Sequence, residues 1–207
     1  MIPYPIGSRS KKPGPFLKNT DKQDFKMSDL KETRISSEKK FSGRLIDLYL
    51  DQVGLPNGEK STREWIDHPG AVCLIPILPD GNICLIRQFR YGPGAEFIEI
   101  PAGKLDNGED PLDCAHRELE EETGYCSNKL TFLTNIHPAI GFCNEKMWMY
   151  LAEDLVETEH NLDQDEFLKL LPTSLDDALE WVWSGKITDV KTIIGILWVE
   201  KLLKRKD

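Results

Sequence analysis

Apolar positions along the chain group into short strand-like runs in its early part and into longer helix-like stripes near its end. Strand-forming residues dominate positions 44–53, positions 56–58 supply a Pro-Asn-Gly turn, and positions 62–66 indicate the returning strand. A hairpin of this size is only marginally stable alone, so we expect it to lie against another part of the protein.

Further apolar segments follow, most of them bounded by turn-forming residues. The pattern predicts strands over residues 71–78, 83–87, 97–100, 130–136, 146–151 and 166–170. It predicts helices over residues 174–183 and 189–204, and another that begins at Asp110-Pro111 and ends at Gly124. Strands and helices mix without strict alternation, which favours an α/β fold in which helices cover a sheet.

The first 33 residues differ from the rest, because they are rich in Lys, Pro and Ser and show no sustained apolar period. Residues 1–40 contain 10 Lys and Arg against 5 Asp and Glu, a net charge of +5 in a chain of −9. The remainder therefore carries −14, the difference between these two values. We predict a flexible basic tail over residues 1–33, an N-terminal β subdomain over 34–68 and a main domain over 69–207.

The composition limits the partners and the compartment that we expect. A body this acidic repels a nucleic-acid backbone, so nucleic acid is not an expected partner. No apolar run approaches the roughly 20 residues that span a bilayer, and the N-terminus has no apolar segment of signal-peptide length. The five cysteines contain no C-x-x-C pair, which favours reduced thiols over disulfides or a zinc site. We therefore expect a cytoplasmic protein without a membrane partner.

The segment between Gly103 and Tyr125 carries the strongest chemical signal in the chain. Gly103 is followed by five residues and Glu109, then by seven residues and the run Arg117-Glu118-Leu119-Glu120-Glu121-Glu122-Thr123-Gly124-Tyr125. A helix here would bring Glu118 and Glu122 together at a spacing of i, i+4, with Glu121 close by. Like charges at that spacing destabilise a helix, so the row of glutamates indicates a bound cation.

Hard divalent ions such as Mg²⁺ or Mn²⁺ prefer carboxylate and phosphate oxygens, and they would suit this row of glutamates. Arg117, one turn before Glu121, could hold that carboxylate while the other glutamates bind metal. A solvated acidic surface is the ordinary explanation of a glutamate run. The glycines at both ends, together with Arg117 and Glu109 at fixed spacing, argue against that explanation.

Two further expectations concern the packing of this segment. Leu112, Ala115 and Leu119 lie on one stripe of the predicted helix, which we expect to pack on the sheet. Gly103 is expected to let the backbone turn sharply and expose a carbonyl.

The segment resembles the Nudix box, G-x5-E-x7-R-E-U-x-E-E-x-G-U with U apolar or aromatic, at every fixed position. The resemblance implies an α/β/α sandwich with a mixed sheet, in which the box forms a loop, a helix and a loop. It implies that the Ala102 carbonyl, Glu118 and Glu122 hold two to three Mg²⁺ or Mn²⁺ ions, with Glu121 as a further candidate. The implied reaction is attack of metal-activated water on one phosphorus of a diphosphate.

Segments outside the box resemble the branch of ADP-ribose pyrophosphatases and nucleoside diphosphate sugar hydrolases. These segments are Arg63-Glu64, His68-Pro69-Gly70-Ala71-Val72, Arg87-Gln88-Phe89-Arg90, Glu99-Ile100-Pro101-Ala102-Gly103, residues 137–145 and residues 185–192. The resemblance implies cleavage of the pyrophosphate bond of a nucleoside diphosphate sugar, with ADP-ribose giving AMP and ribose 5-phosphate as the first expectation. A proline about as far beyond the box as Pro138 is associated with ADP-ribose specificity.

Other substrates stay open. The loop around Pro138 also resembles hydrolases of GDP-mannose and other sugar nucleotides, and Nudix enzymes that cleave NADH, dinucleoside polyphosphates or oxidised nucleoside triphosphates are further alternatives. A non-catalytic sensor of ADP-ribose is disfavoured, because such proteins typically have degenerate box carboxylates or an attached DNA-binding domain, and this sequence has neither.

The resemblance also implies roles for residues outside the box. Glu145 matches the loop glutamate that orients or deprotonates the attacking water, with Glu166 and Glu121 as rivals for that role. Candidates for contacts to the diphosphate or the base are Arg63, Arg90 and Glu99, each of which could instead form a surface ion pair. His68 and His137 precede prolines and are expected to be structural. An N-terminal sheet mediates homodimerisation in this branch, so we expect a homodimer.

Overall fold

The structure, a computed structural model, describes residues 30–158 and 167–204, apart from the side chain of Leu203. Most of the predicted basic tail and the rival base Glu166 lie outside these residues. The strands are β1 Thr33–Ser42, β2 Asp47–Gly54, β3 Lys60–Asp67, β4 Ala71–Pro76, β5 Ile83–Arg90, β6 Ala95–Glu99, β7 Ala102–Lys104, β8 Tyr125–Ile136, β9 Met147–Glu157 and β10 Leu168–Thr173. The helices are α1 Pro111–Thr123, α2 Leu175–Trp183 and α3 Val190–Leu203.

The strands form three sheets. Strands β1, β2 and β3 make a separate antiparallel sheet, and β10, β5 and β6 make a second antiparallel sheet. The third sheet has the order β7-β4-β9-β8 and is mixed, because β4 and β9 run parallel while the other pairs are antiparallel. The predicted class, an α/β fold with a mixed sheet and a small N-terminal antiparallel sheet, is confirmed.

Strand β4 is an inner strand of the mixed sheet and is buried along its whole length. Ala71, Cys73 and Ile75 pack into a core that includes residues of α2 and α3, whereas Val72 and Leu74 pack into a second core beneath α1. A strand covered on both faces is a continuous apolar run rather than an alternating one. The mixed sheet is therefore sandwiched between α1 on one side and the two C-terminal helices on the other.

Helix α1 has the ends that the sequence predicted. The Asp110 side chain caps it by accepting a hydrogen bond from the Leu112 backbone N–H, and Gly124 ends it in the left-handed conformation at φ 69°. The predicted apolar stripe is wrong at Leu112, which is 42% exposed. Burial on this helix begins at Cys114, whose thiol faces the Lys104 carbonyl of β7 at 3.5 Å.

Two strands were not predicted from the sequence. Strand β1 is exposed at every position and its sequence does not alternate apolar and polar residues; it pairs antiparallel with β2, with cross-strand side-chain contacts such as Lys39–Asp47. Strand β7 has only three residues, too few to show a period. Strands β8 and β9 also extend beyond their predicted bounds, because they pair with each other as far as Tyr125 and Glu157.

Two further expectations concern thiols and membranes. All five cysteines are free, and burial raises the pKa of the Cys73 thiol to about 12 and that of Cys84 to about 11. Within the part of the chain that the structure describes, no helix has the length and apolar character needed to cross a bilayer.

Candidate active site

A cavity of about 310 Å³ opens where β4 and β7 meet the loop after β8 and the first turn of α3. Three of the predicted site residues line it, namely Ala102, Arg90 and Glu145. Other side chains on its wall were given no chemical role by the sequence, among them His68, Lys104, Asp189 and Lys191. The cavity is therefore lined by both basic and acidic groups.

Glu118 of α1 lies directly against Gly103, a residue of the cavity lining, although Glu118 itself does not line the cavity. A Cβ atom on Gly103 would lie 1.8 Å from the Glu118 Cδ atom, so only glycine leaves room for the carboxylate. Gly103 lies in strand β7 and is not among the glycines with positive φ. The expectation that it provides a sharp turn is wrong, since the glycine is required by the close approach of a side chain.

Glu122 lies one helical turn further along α1 and contacts the neighbouring residue of β7. Its Oε2 accepts a hydrogen bond from the Ala102 backbone N–H at 2.9 Å, and the residue is 2% exposed. Glu118 is 8% exposed. The i, i+4 spacing on α1 thus places two buried carboxylates against two successive residues of one short strand.

The donor chemistry of this arrangement fits a hard divalent cation. Glu118 and Glu122 place two carboxylates close together on one helix, and oxygen ligands of this kind suit Mg²⁺ or Mn²⁺. Across residues 30–158 and 167–204, no three His, Cys, Asp or Glu side chains form a metal-binding group by themselves. A cation at Glu118 and Glu122 would therefore also draw on a backbone carbonyl, water or substrate oxygens.

Arg117 of α1 links the helix to Glu109 in the loop that precedes it. Its Nε and Nη2 donate to the two carboxylate oxygens of Glu109, each at 2.9 Å, and its Nη1 donates to Glu118 at 2.6 Å and to Glu121 at 2.8 Å. The hydrogen bonds from Arg117 lower the pKa of the Glu109 carboxyl to about 2, and hydrogen bonding to Glu109 is the main cause of a raised pKa at Arg117. Arg117 therefore makes the contact with Glu121 that the spacing suggested, and it also binds Glu109 and Glu118.

Arg90 and Glu99 form a bidentate ion pair at another side of the cavity. Arg90 Nε lies 2.7 Å from Glu99 Oε1 and Nη2 lies 2.8 Å from Oε2, and Lys191 Nζ also donates to Glu99 Oε2. Burial alone would raise the pKa of Glu99, but the hydrogen bonds from Arg90 and the charge of Lys191 outweigh it, so the pKa lies below its ordinary value. Arg90 lines the cavity, whereas Glu99 is 3% exposed and engaged by both cations.

Glu145 and His68 both line the cavity and lie close to each other. The His68 Nε2 atom lies 3.9 Å from Glu145 Oε1, and His68 Nδ1 accepts a hydrogen bond from the Gly70 backbone N–H at 3.1 Å. Because Nδ1 is the acceptor, the neutral ring carries its proton on Nε2, towards Glu145. The sequence indicated only a structural role for His68, and its position beside Glu145 was missed.

The loop that carries Glu145 is fastened to the end of β3. The Asn144 side chain accepts a hydrogen bond from the His68 backbone N–H at 2.8 Å and donates one to Asp67 at 2.6 Å. The Ile66 backbone N–H donates to the Phe142 carbonyl at 2.8 Å. These contacts hold Glu145 at the cavity through backbone and side-chain bonds to residues nearly 80 positions earlier.

The remaining predicted residues lie apart from the cavity. Arg63 is on β3 in the N-terminal sheet, where it pairs with Glu32 and donates to the Thr62 carbonyl at 2.8 Å. Glu121 is held by Arg117 and does not line the cavity. His137 is likewise not part of the cavity lining, although Pro138 next to it is.

Comparison with known proteins identifies the family. The NUDIX domain matches residues 67–189 of this chain. An ADP-ribose pyrophosphatase from Bacillus subtilis (strain 168) is 44% identical over 176 residues, which cover 84% of this chain and 95% of that protein. A methanol dehydrogenase activator from Bacillus methanolicus is 42% identical over 179 residues, covering 84% and 97%. A crystal structure of an ADP compounds hydrolase aligns with a TM-score of 0.75 at 25% identity, over 85% of this chain and 96% of that one. The chain therefore belongs to the Nudix hydrolase family, as its box predicted.

Proposed function

We propose that this protein is an enzyme that hydrolyses the pyrophosphate bond of nucleoside diphosphate sugars, with ADP-ribose as the first substrate and AMP and ribose 5-phosphate as products. The observation that carries the proposal is the pair of buried carboxylates, Glu118 and Glu122, set against Ala102 and Gly103, which line the cavity together with Arg90. The similarity to an ADP-ribose pyrophosphatase over most of both chains supports the choice of substrate.

Nudix hydrolases generally need divalent metal ions. In our proposal two to three Mg²⁺ or Mn²⁺ ions are held by the Ala102 carbonyl, Glu118 and Glu122, with Glu121 as a further candidate. When bound, such ions neutralise charge on phosphate oxygens and make water a stronger acid. Gly103 leaves the space in which the Glu118 carboxylate lies, and the Ala102 N–H fixes the Glu122 carboxylate.

The chain supplies binding and proton transfer around this metal site. Arg90 presents a guanidinium group to the cavity, and its planar donors suit the oxygens of a diphosphate. Glu145 accepts the proton of the attacking water, while His68 Nε2 faces its carboxylate from 3.9 Å. Glu166 is the main rival for this base, and Glu121, engaged by Arg117, is the second rival.

The assembly that we propose is a homodimer formed through the N-terminal sheet. Residues 34–68 serve as the dimerisation subdomain and residues 69–207 as the Nudix domain. Apolar side chains on or beside this sheet are exposed, Ile35 by 48%, Phe41 by 56% and Leu45 by 54%, which supports an interface there. In such a dimer Arg63 would contact the substrate bound in the cavity of the other copy. The five free thiols support our assignment of the enzyme to the cytoplasm.

A substrate panel tests this function. The full chain is incubated with Mg²⁺ or Mn²⁺ and ADP-ribose, GDP-mannose, NADH, a diadenosine polyphosphate or an oxidised nucleoside triphosphate, and the products are separated by chromatography. We expect AMP and ribose 5-phosphate from ADP-ribose at the highest kcat/KM. Faster cleavage of GDP-mannose would make GDP-mannose, and not ADP-ribose, the preferred substrate. Binding of ADP-ribose without cleavage of any substrate would make the protein a sensor.

A further inference from the structure

The first turn of α3 is tied to the strand segment that leads into the metal-binding region. Thr192 is fully buried, and its Oγ1 accepts a hydrogen bond from the Ile100 backbone N–H at 2.8 Å. The same hydroxyl donates to Asp189 Oδ2 at 2.5 Å, and the Thr192 backbone N–H donates to that oxygen at 3.0 Å. The helix start and the residue two positions before Ala102 are therefore held together.

Lys191, in the same turn, is a buried cation that the proposed reaction does not use. Its residue is 7% exposed, its ammonium group donates to Glu99, and it lies 3.1 Å from Asp189 Oδ2. A buried ammonium group is costly unless it is paired, and both carboxylates pair it here. Its position is thus determined by one residue of its own helix turn and by the last residue of β6.

Glu99 links this lysine to the arginine of the cavity. Glu99 Oε2 accepts hydrogen bonds from both Lys191 and Arg90, and Oε1 accepts a second one from Arg90. The contact with Lys191 limits where the Glu99 carboxylate can lie, and a bidentate guanidinium group aligns with the plane of the carboxylate that it binds. Arg90 is 40% exposed, so this contact also determines the direction in which it faces the cavity.

We propose that Lys191 is a positioning residue for substrate binding: it fixes the Glu99 carboxylate, and through Glu99 it directs Arg90 towards the diphosphate of the substrate. This inference rests on the proposed function. Lys191 itself lines the cavity, so direct contact between its ammonium group and the substrate is the competing explanation.

A double-mutant cycle separates the two explanations. Lys191→Met, Arg90→Ala and the double variant are compared with the wild type by KM and kcat for ADP-ribose with Mg²⁺. Equilibrium affinity for ADP-ribose in EDTA, measured by calorimetry, gives a second readout in which no turnover occurs. We expect Lys191→Met to weaken ADP-ribose binding about tenfold, with a smaller effect on kcat. In the Arg90→Ala background the same substitution should change affinity less than about twofold, because its effect passes through Arg90.

Two results would overturn the inference. A loss of equal size with and without Arg90 would mean that Lys191 contacts the substrate directly. Unchanged KM and affinity in Lys191→Met would leave the lysine a structural role alone. Lys201→Met, on the exposed last turn of the same helix, is the matched control and should leave both quantities unchanged. If Lys191→Met does not fold, Lys191→Gln takes its place in the cycle, because it also removes the ammonium charge that holds Glu99 but keeps a polar side chain in this buried turn.

The inference and the proposed function can fail separately. A wild type that cleaves no member of the substrate panel would end the proposed function. The affinities of the four proteins in the cycle for inorganic pyrophosphate, the simplest diphosphate, would then be measured by calorimetry. Coupling between Lys191 and Arg90 in that titration would support the positioning role without any catalysis, and additive losses would contradict it.

Discussion

At Gly103 the backbone of β7 lies so close to Glu118 that hydrogen is the only side chain that fits. We expect Gly103→Ala to displace the Glu118 carboxylate and to lower kcat/KM about 100-fold, since an ångström of misplacement has effects of that order. Steady-state kinetics with Mg²⁺ measure kcat/KM, and calorimetric titration with Mn²⁺ measures the loss of metal affinity that a displaced Glu118 carboxylate should cause. Gly92→Ala is the control, because Gly92 has no positive φ and a Cβ there would meet nothing within 4 Å. Equal activity of the two variants would contradict the steric argument.

A second substitution tests the charge of Glu118 separately from the room that Gly103 leaves for its carboxylate. Glu118→Gln keeps the shape of the side chain and removes its charge, so we expect turnover to fall by about 100-fold or more while the unfolding midpoint stays close to that of the wild type. Glu120→Gln makes the same change at an exposed position of the same helix and should remain fully active. Near-normal turnover of Glu118→Gln would mean that the metal site is wrongly assigned.

Residue-level chemistry was predictable only where it is local. The i, i+4 spacing of Glu118 and Glu122 is a property of one helix, and sequence alone paired them. Lys191 and His68 contact Glu99 and Glu145, which lie 92 and 77 positions away along the chain. No periodicity reports such contacts, so the sequence identified the segments around Lys191 and His68 but gave neither residue a chemical role.

At the scale of elements, the link between the box loop and α1 has a pH dependence of its own. Glu109 has a pKa of about 2 against an ordinary 4.5, chiefly because Arg117 donates to it. A lowered carboxyl pKa contributes stability that is present above about pH 4.5 and is lost as the pH falls towards 2. We expect Glu109→Gln to be less stable than the wild type at pH 6, with a difference that shrinks below pH 4.5.

Urea unfolding at several pH values between 6 and 3 measures this linkage, with about one pH unit between successive titrations. Glu59→Gln, in an exposed turn of the N-terminal sheet, serves as the control for removing one carboxylate. Parallel stability curves for wild type and Glu109→Gln would show that Arg117 does not lower the pKa of Glu109.

The elements themselves were predictable to different degrees. Helix α1 has an N-cap Asp110 and a C-terminal Gly124, so local chemistry fixed both of its ends. Strand β1 is mostly polar and exposed, and strand β7 is three residues long, so both are defined by pairing with a neighbouring strand. Pairing of that kind is a long-range property, and the pattern of apolar residues does not contain it.

At the scale of the whole molecule, the exposed apolar residues of the N-terminal sheet predict association. We expect light scattering at micromolar concentration to give a mass near twice 23.6 kDa. Phe41→Glu should reduce the dimer fraction, because it places a charge on the proposed interface. Trp183→Glu is the control, since Trp183 is 74% exposed on α2 and outside that sheet. A monomeric mass for the wild type would contradict the dimer.

The parallel pairing of β4 and β9 has a consequence for synthesis on the ribosome. Ala71 of β4 pairs with Met147 of β9, 76 residues later in the chain. One face of β4 packs against α3, which lies near residue 200. The nascent chain therefore exposes the whole glutamate-rich helix long before the sheet that buries it can close. A chain that stops short of α3 would contain every box residue but lack the helix that covers one face of β4, so we expect the proposed site to become complete only when translation is nearly finished.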